Sequence, residues 1–98
     1  MRIEILDDAR EDLVDGFQFY EEQSSGLGSY FLDSLFADID SLLLYAGVHR
    51  LVYGSHRCVA CRFPFAIYYR AEADVIRVRA VIDCRRHPTW IRRRLKRP

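Results

Sequence analysis

The chain is short of most things that mark a membrane, secreted or cofactor-cradling protein. Its 98 residues hold one lysine, one methionine, one tryptophan, three prolines and three cysteines. No apolar run approaches the roughly 18 residues that a membrane span needs. The first residues, Met1-Arg2-Ile3-Glu4-Ile5-Leu6-Asp7-Asp8, turn acidic at once and lack the charged-then-apolar pattern of a secretion leader. An odd cysteine count cannot close into a complete disulfide framework. Together these absences lead us to expect a reducing, cytoplasmic setting. Gly26-Leu27-Gly28 is too short for a phosphate-cradling loop and has no lysine after it. Neither a serine-nucleophile motif nor an acidic metal cluster stands out, and no cofactor is expected. Without linkers or repeats, residues 1–98 read as one domain.

What is present is charge, unevenly divided. Residues 1–44 hold 11 acids and two bases, a net of −9; residues 45–98 hold 13 bases and three acids, a net of +10. Such asymmetry suits two faces with different partners, the basic one meeting nucleic acid or an acidic protein surface. Pairing of the two halves with each other is the plainer alternative.

Periodicity supplies the elements. Arg2–Leu6 alternates like a short strand. Asp8-Ala9-Arg10-Glu11 reads as a capping box, and Ala9, Leu13, Phe17 and Tyr20 form the stripe of a first helix. Its acids are expected to lie around the outer face in solvent. Ser24-Ser25-Gly26-Leu27-Gly28 breaks it, and a second helix is predicted over Ser29–Tyr45. Strands are predicted over Arg57–Phe63, Phe65–Arg70 and Val75–Asp83, with a turn at Glu72-Ala73-Asp74. In the last strand Ile76, Val78, Ala80 and Ile82 should meet the helices, leaving Arg77, Arg79, Val81 and Asp83 on an open cationic face. Tyr68 and Tyr69 should point to opposite faces. Pro88–Leu95 reads as a short terminal helix, with Trp90 either pinning it to the sheet or serving as an interface anchor. The expected fold is α+β: an N-terminal strand and an antiparallel helical hairpin packed on a small twisted antiparallel sheet, then the terminal helix.

This order, with Phe19-Tyr20-Glu21, Gly26-Leu27-Gly28 before Phe31, Arg62-Phe63-Pro64-Phe65-Ala66-Ile67-Tyr68-Tyr69, and Ile76–Val81 followed by Arg85-Arg86-His87-Pro88 and Trp90, resembles the RelE/ParE toxins. The likeness runs nearly end to end. It implies the toxin of a type II toxin–antitoxin module, of the sort tied to growth inhibition and plasmid stabilisation. A cognate antitoxin would hold it inactive, and operator DNA would be reached only through that antitoxin. Two activities occur in the group: ribosome-dependent cleavage of messenger RNA, and action on DNA gyrase. Attack by a 2′-hydroxyl needs a base and a leaving-group acid, and arginine holds its proton too tightly for either role. Where RelE-type members place an arginine in the central strand, this chain reads Phe65-Ala66-Ile67-Tyr68; where they place a tyrosine near the end, it has Trp90. The resemblance therefore points to gyrase binding through Arg77, Arg79, Arg85, Arg86 and Trp90. The nuclease alternative would use Arg57, Arg62, Arg79 and Arg85 to hold phosphate and His56 or His87 to move protons. A third reading takes Cys58-Val59-Ala60-Cys61 with Cys84-Arg85-Arg86-His87 as zinc ligands of a nucleic-acid module. A strand over 57–63 would put Cys58 and Cys61 on opposite sides. Seven bases within residues 85–97 are either a target-binding edge, a dock for an acidic antitoxin segment or a solvated tail.

Overall fold

A computed structural model describes residues 1–97. The elements run β1 (Arg2–Ile5), α1 (Asp7–Gln23), α2 (Leu27–Tyr45), β2 (Leu51–Val52), β3 (Ser55–Val59), β4 (Phe65–Glu72), β5 (Val75–Asp83) and α3 (Pro88–Leu95). The fold class is the expected α+β one. The sheet is mixed, in order β1-β5-β4-β3-β2, because β1 joins β5 in parallel while the other pairs are antiparallel.

The helical hairpin forms by a different route from the expected capping. Asp8 caps nothing: α1 starts at Asp7, after an extended Leu6 with no side-chain cap. The Leu6 amide instead donates to the Val78 carbonyl, so the sheet itself sets where the helix begins. Asp7 and Asp8 remain useful in the first turn, where the helix dipole favours negative charge. Helix α2 starts two residues before the expected Ser29. The Glu21 carboxylate, one turn from the end of α1, accepts from the Gly26 and Gly28 amides at 3.0 Å each. It thus satisfies donors that a local cap would have taken. Gly26 makes the corner at φ 90. Gly28 lets the helices close, since a Cβ there would lie 2.7 Å from the Phe17 carbonyl oxygen.

Ala9, Leu13, Tyr20, Phe31, Leu35, Ile39 and Leu42 face the sheet and meet Cys58, Phe65, Ile67, Tyr69, Ile76, Val78 and Val81. The strand expected over Arg57–Phe63 is shifted. It runs Ser55–Val59 and then bends, because the Cys61 amide turns away to the Asp38 carboxylate at 3.0 Å. The loop before Val75 is Ala73-Asp74, with Ala73 at φ 52.

The largest departure lies in β5. Tyr69 pairs with Val78 and Tyr68 with Ala80, so Arg79 is an extra residue, a β-bulge. The bulge reverses the facing halfway along. Ile76, Val78 and Val81 face the helices, while Ala80 and Ile82 face the other side. There they pack with Ala66, Tyr68 and Leu95, flanked by Val52, Cys84 and Ile91. The second face is therefore a smaller apolar core lidded by α3, where an open cationic surface was expected. Tyr68 and Tyr69 do part to opposite faces, and both are buried.

Candidate functional site

Helix α3 is fixed at its start by His87, along one side by Ile91 and Leu95, and to α1 by Arg94. His87 is its N-cap, with Nδ1 accepting from the Thr89 amide at 3.1 Å, and Pro88 follows in the first turn. Ile91 and Leu95 bind it to the sheet, a role expected of Trp90. Arg94 is buried. Its guanidinium reaches Asp12 of α1 through two bonds of 2.8 and 2.6 Å, with Asp8 at 3.9 Å. Asp12 also accepts the Val81 amide at 2.9 Å, just beyond where β1 stops covering the edge of β5. One carboxylate thus ties together α1, β5 and α3. The expectation that the first-helix acids all lie in solvent is corrected for Asp12 and Glu21.

With α3 held there, a groove of about 450 Å³ opens between α1 and the exit of β5. Asp12, Asp15 and Phe19 line one side; Phe65, Val81 and Asp83 line the floor; Arg85, Arg86 and Trp90 line the other side. Phe19 is 53% exposed and Trp90 38%. The Arg86 guanidinium sits 4.3 Å over the Trp90 ring, a cation–π contact that fixes both. Arg85 grips Asp83 with two bonds, Nε at 2.9 Å and Nη2 at 2.6 Å. Those bonds hold the Asp83 carboxyl below its ordinary pKa. Burial pushes the Tyr20 phenol up behind them. The groove has apolar walls, a charged rim and two exposed aromatics. It can seat an apolar anchor and orient it by charge.

The other sequence-derived candidates lie apart from it. Arg77 pairs with Glu72 at 3.1 Å and Glu4 at 3.7 Å near the start of β5. Arg79 turns inward to Ser55 Oγ at 2.7 Å and to the carbonyls of Leu95 and Arg97. Arg57 donates to Tyr68 Oη at 3.2 Å and toward Cys84 Sγ at 3.4 Å. Arg62 is exposed in the bend after β3. His56 stacks on Tyr69 and donates from Nδ1 to the His49 carbonyl at 2.7 Å. It pairs with Tyr69, whereas Asp83, four residues before His87, pairs with Phe65. Those four residues of β4 span about 13 Å, which separates His56 along the sheet from the end of β5 that leads to His87. The arrangement brings Arg85, Arg86 and Trp90 together, leaves Arg77 and Arg79 elsewhere, and gathers no acid and base around a phosphate.

The zinc set is not assembled either. Cys58 lies in the helix-side core and Cys84 beside the opposite one. The reason differs from the expected one, because the strand ends before Cys61: burial first and the Asp38 charge second push the Cys58 thiol up, while a hydrogen bond to Asp38 pushes up the Cys61 thiol. Among the described residues, no three histidine, cysteine or acidic side chains converge as metal ligands, and no helix is long and apolar enough to cross a membrane.

Asp12, Asp15 and Phe19, the α1 side of the groove, are residues that sequence reasoning missed. Phe19 lies off the buried stripe of α1, and an exposed phenylalanine beside that stripe was the available signal.

No protein-family model matches this chain, and no curated protein does. The fold has a solved counterpart. A chain from the "Chromosomal ParDE TA system from P. aeruginosa" superposes with a TM-score of 0.72, covering 85% of this chain and 95% of its own length at 18% identity. This is a ParE-like fold. The expected architecture is confirmed on that comparison, through the hairpin, the twisted sheet and their order. At such identity the ParE-like likeness is one of backbone, so the chemistry must be argued from the groove.

Proposed function

We propose that this chain is the toxin of a type II toxin–antitoxin pair. It acts in the cytoplasm as a stoichiometric binder of DNA gyrase and is silenced by a cognate antitoxin. The ParE-like fold supports the toxin class. The observation that carries the binding mode is the groove rimmed by Arg85, Arg86 and Trp90, which presents an aromatic anchor and fixed cations. Tryptophan and arginine side by side in a pocket are the residue types that dominate binding energy at protein interfaces. The nuclease alternative would need His56 and His87 to act on one phosphate although His56 and the strand end leading to His87 lie about 13 Å apart along the sheet.

The test is a supercoiling assay with purified chain and gyrase on relaxed plasmid. The expected result is loss of supercoiling as chain is titrated toward one per gyrase subunit, restored by the antitoxin encoded beside the gene. Unchanged supercoiling at saturating chain would reject gyrase as target. Primer extension showing cuts within translated messages in induced cells would move the chain to the nuclease class.

A further inference from the structure

The last turn of α3 carries a second charged surface, separate from the groove. Arg92, Arg93, Lys96 and Arg97 are all exposed and line one shallow concavity with no other residue between them. At 100° per residue Arg92, Arg93 and the C-cap Lys96 cover an arc of about 100°, away from the partly buried Ile91 and the buried Leu95, and Arg97 follows directly after. The basic residues already described as paired are held internally: Arg77 by Glu4 and Glu72, Arg79 by Ser55 and two carbonyls, Arg85 by Asp83, Arg94 by Asp12. Among the described residues none of Arg92, Arg93, Lys96 and Arg97 lies within ion-pair distance of a carboxylate.

Their spacing works against the helix. Arg92 and the C-cap Lys96 are like charges four residues apart, an arrangement that is repulsive on a helix. A helix C-terminus gains from cations, which offsets part of that repulsion. An external anion would relieve what remains among the four cations.

We propose that this surface binds the phosphate backbone of duplex DNA, without regard to sequence. The chemistry selects that occupant. Three of the four cations are arginines, whose planar fork matches phosphate oxygens. An acidic protein partner would want an apolar anchor within the contact, and the concavity has none. Single-stranded nucleic acid would want an aromatic face within the contact for base stacking, and the concavity has none. Helices α1 and α2 pack on the opposite face of the sheet from Ile91 and Leu95, and the α1 acids nearest α3, Asp8 and Asp12, are turned to Arg94. Such a contact is distinct from operator recognition, which the family resemblance assigns to the antitoxin. It does not depend on the groove or on gyrase.

The experiment is fluorescence anisotropy of a labelled 20-base-pair duplex with the purified chain alone, across a salt series. Four phosphate contacts give a slope of log K against log salt of about −3.6, or about a 150-fold loss of affinity from 50 to 200 mM salt. Arg92→Ala with Arg93→Ala should halve that slope to about −1.8. Both side chains are exposed, so the double variant should melt within a few degrees of the parent. Arg85→Ala should leave the slope unchanged. Three results would each overturn the proposal: no binding at 50 mM salt, an identical slope in the double variant, or tighter binding of polyglutamate or of the single strand than of the duplex. Because gyrase is absent from this assay, its failure would leave the groove reading standing, and failure of the supercoiling assay would leave this one standing.

Discussion

Asp12 and Arg94 lie 82 positions apart and meet in a two-bond pair that is almost wholly closed to water, their side chains 14% and 7% exposed. The position of α3, and with it the far wall of the groove, depends on that pair.

Removing one partner strands the other. Asp12→Ala leaves a buried guanidinium without its carboxylate and the Val81 amide without an acceptor. We expect a loss of about 3 kcal/mol in urea unfolding. Replacing both, Asp12→Leu with Arg94→Met, should be milder than the single change, since the buried charge goes too. A double replacement worse than Asp12→Ala would show that the pair is more than a matched burial.

The hairpin depends on Gly28. Alanine is the better helix former by about 1 kcal/mol, which alone would make Gly28→Ala stabilising. Its Cβ would press on the Phe17 carbonyl at 2.7 Å, a backbone atom that cannot rotate away. Overpacking of this kind costs about 2 kcal/mol, so the net sign should be destabilising, read as a lower midpoint in thermal melts. A raised midpoint would mean the helices part at little cost.

Acid should loosen the exit of β5. Asp83 has a folded pKa below its unfolded one because Arg85 hydrogen-bonds its charged form. Its contribution to stability is therefore present above the ordinary carboxylate pKa of about 3.9 and is lost as pH falls through the lower folded value. Asp83→Asn should flatten the acid limb of the stability–pH curve relative to the parent. Parallel curves for the two proteins would refute the assignment.

Tyr69 fastens the loop after α2. Its hydroxyl receives the Gly47 amide at 3.0 Å and meets His49 Nδ1. Tyr69→Phe keeps the buried ring and removes both bonds, for an expected loss of about 1 kcal/mol. Hydrogen exchange at Gly47 should quicken by roughly fivefold, with exchange at Leu13 following only the global change.

Trp90 is the groove's exposed anchor, so Trp90→Ala should leave the melting midpoint nearly unchanged while raising the chain needed for half-inhibition of gyrase at least tenfold, a loss of about 1.4 kcal/mol in binding. A folded Trp90→Ala protein of full potency would move the contact elsewhere.

Much of this architecture could be read in the residues. The stripes of α1 and α2, the glycine corner, the apolar run of β4 and the Pro88 start of α3 are local signals, set by periods of 3.6 and 2 and by fixed φ. The misses were non-local. Neither Asp12 nor Glu21 differs in sequence from a solvated helix acid. Each gains its role from a donor that only the assembled chain brings near, the Val81 amide and Arg94 for one and the Gly26 and Gly28 amides for the other. The β5 reversal was hidden for a related reason. Val78-Arg79-Ala80 keeps the alternation of an ordinary strand, and the bulge shows only in the pairing with Tyr68 and Tyr69. At the groove, Arg85, Arg86 and Trp90 were legible as a cluster because they are close in sequence. Arg77 and Arg79 were grouped with them on strand parity that the bulge and the ion pairs override.

That bulge bears on which genetic changes the chain can absorb. Eight residues of β4 stand against nine of β5. Loss of the single codon for Arg79 would leave eight against eight, with Val78 running straight into Ala80 and every later side chain still on its present side. A one-residue deletion inside a strand ordinarily turns the remainder over. At this position it should leave both cores intact, and only the three bonds made by the Arg79 side chain would be forfeited.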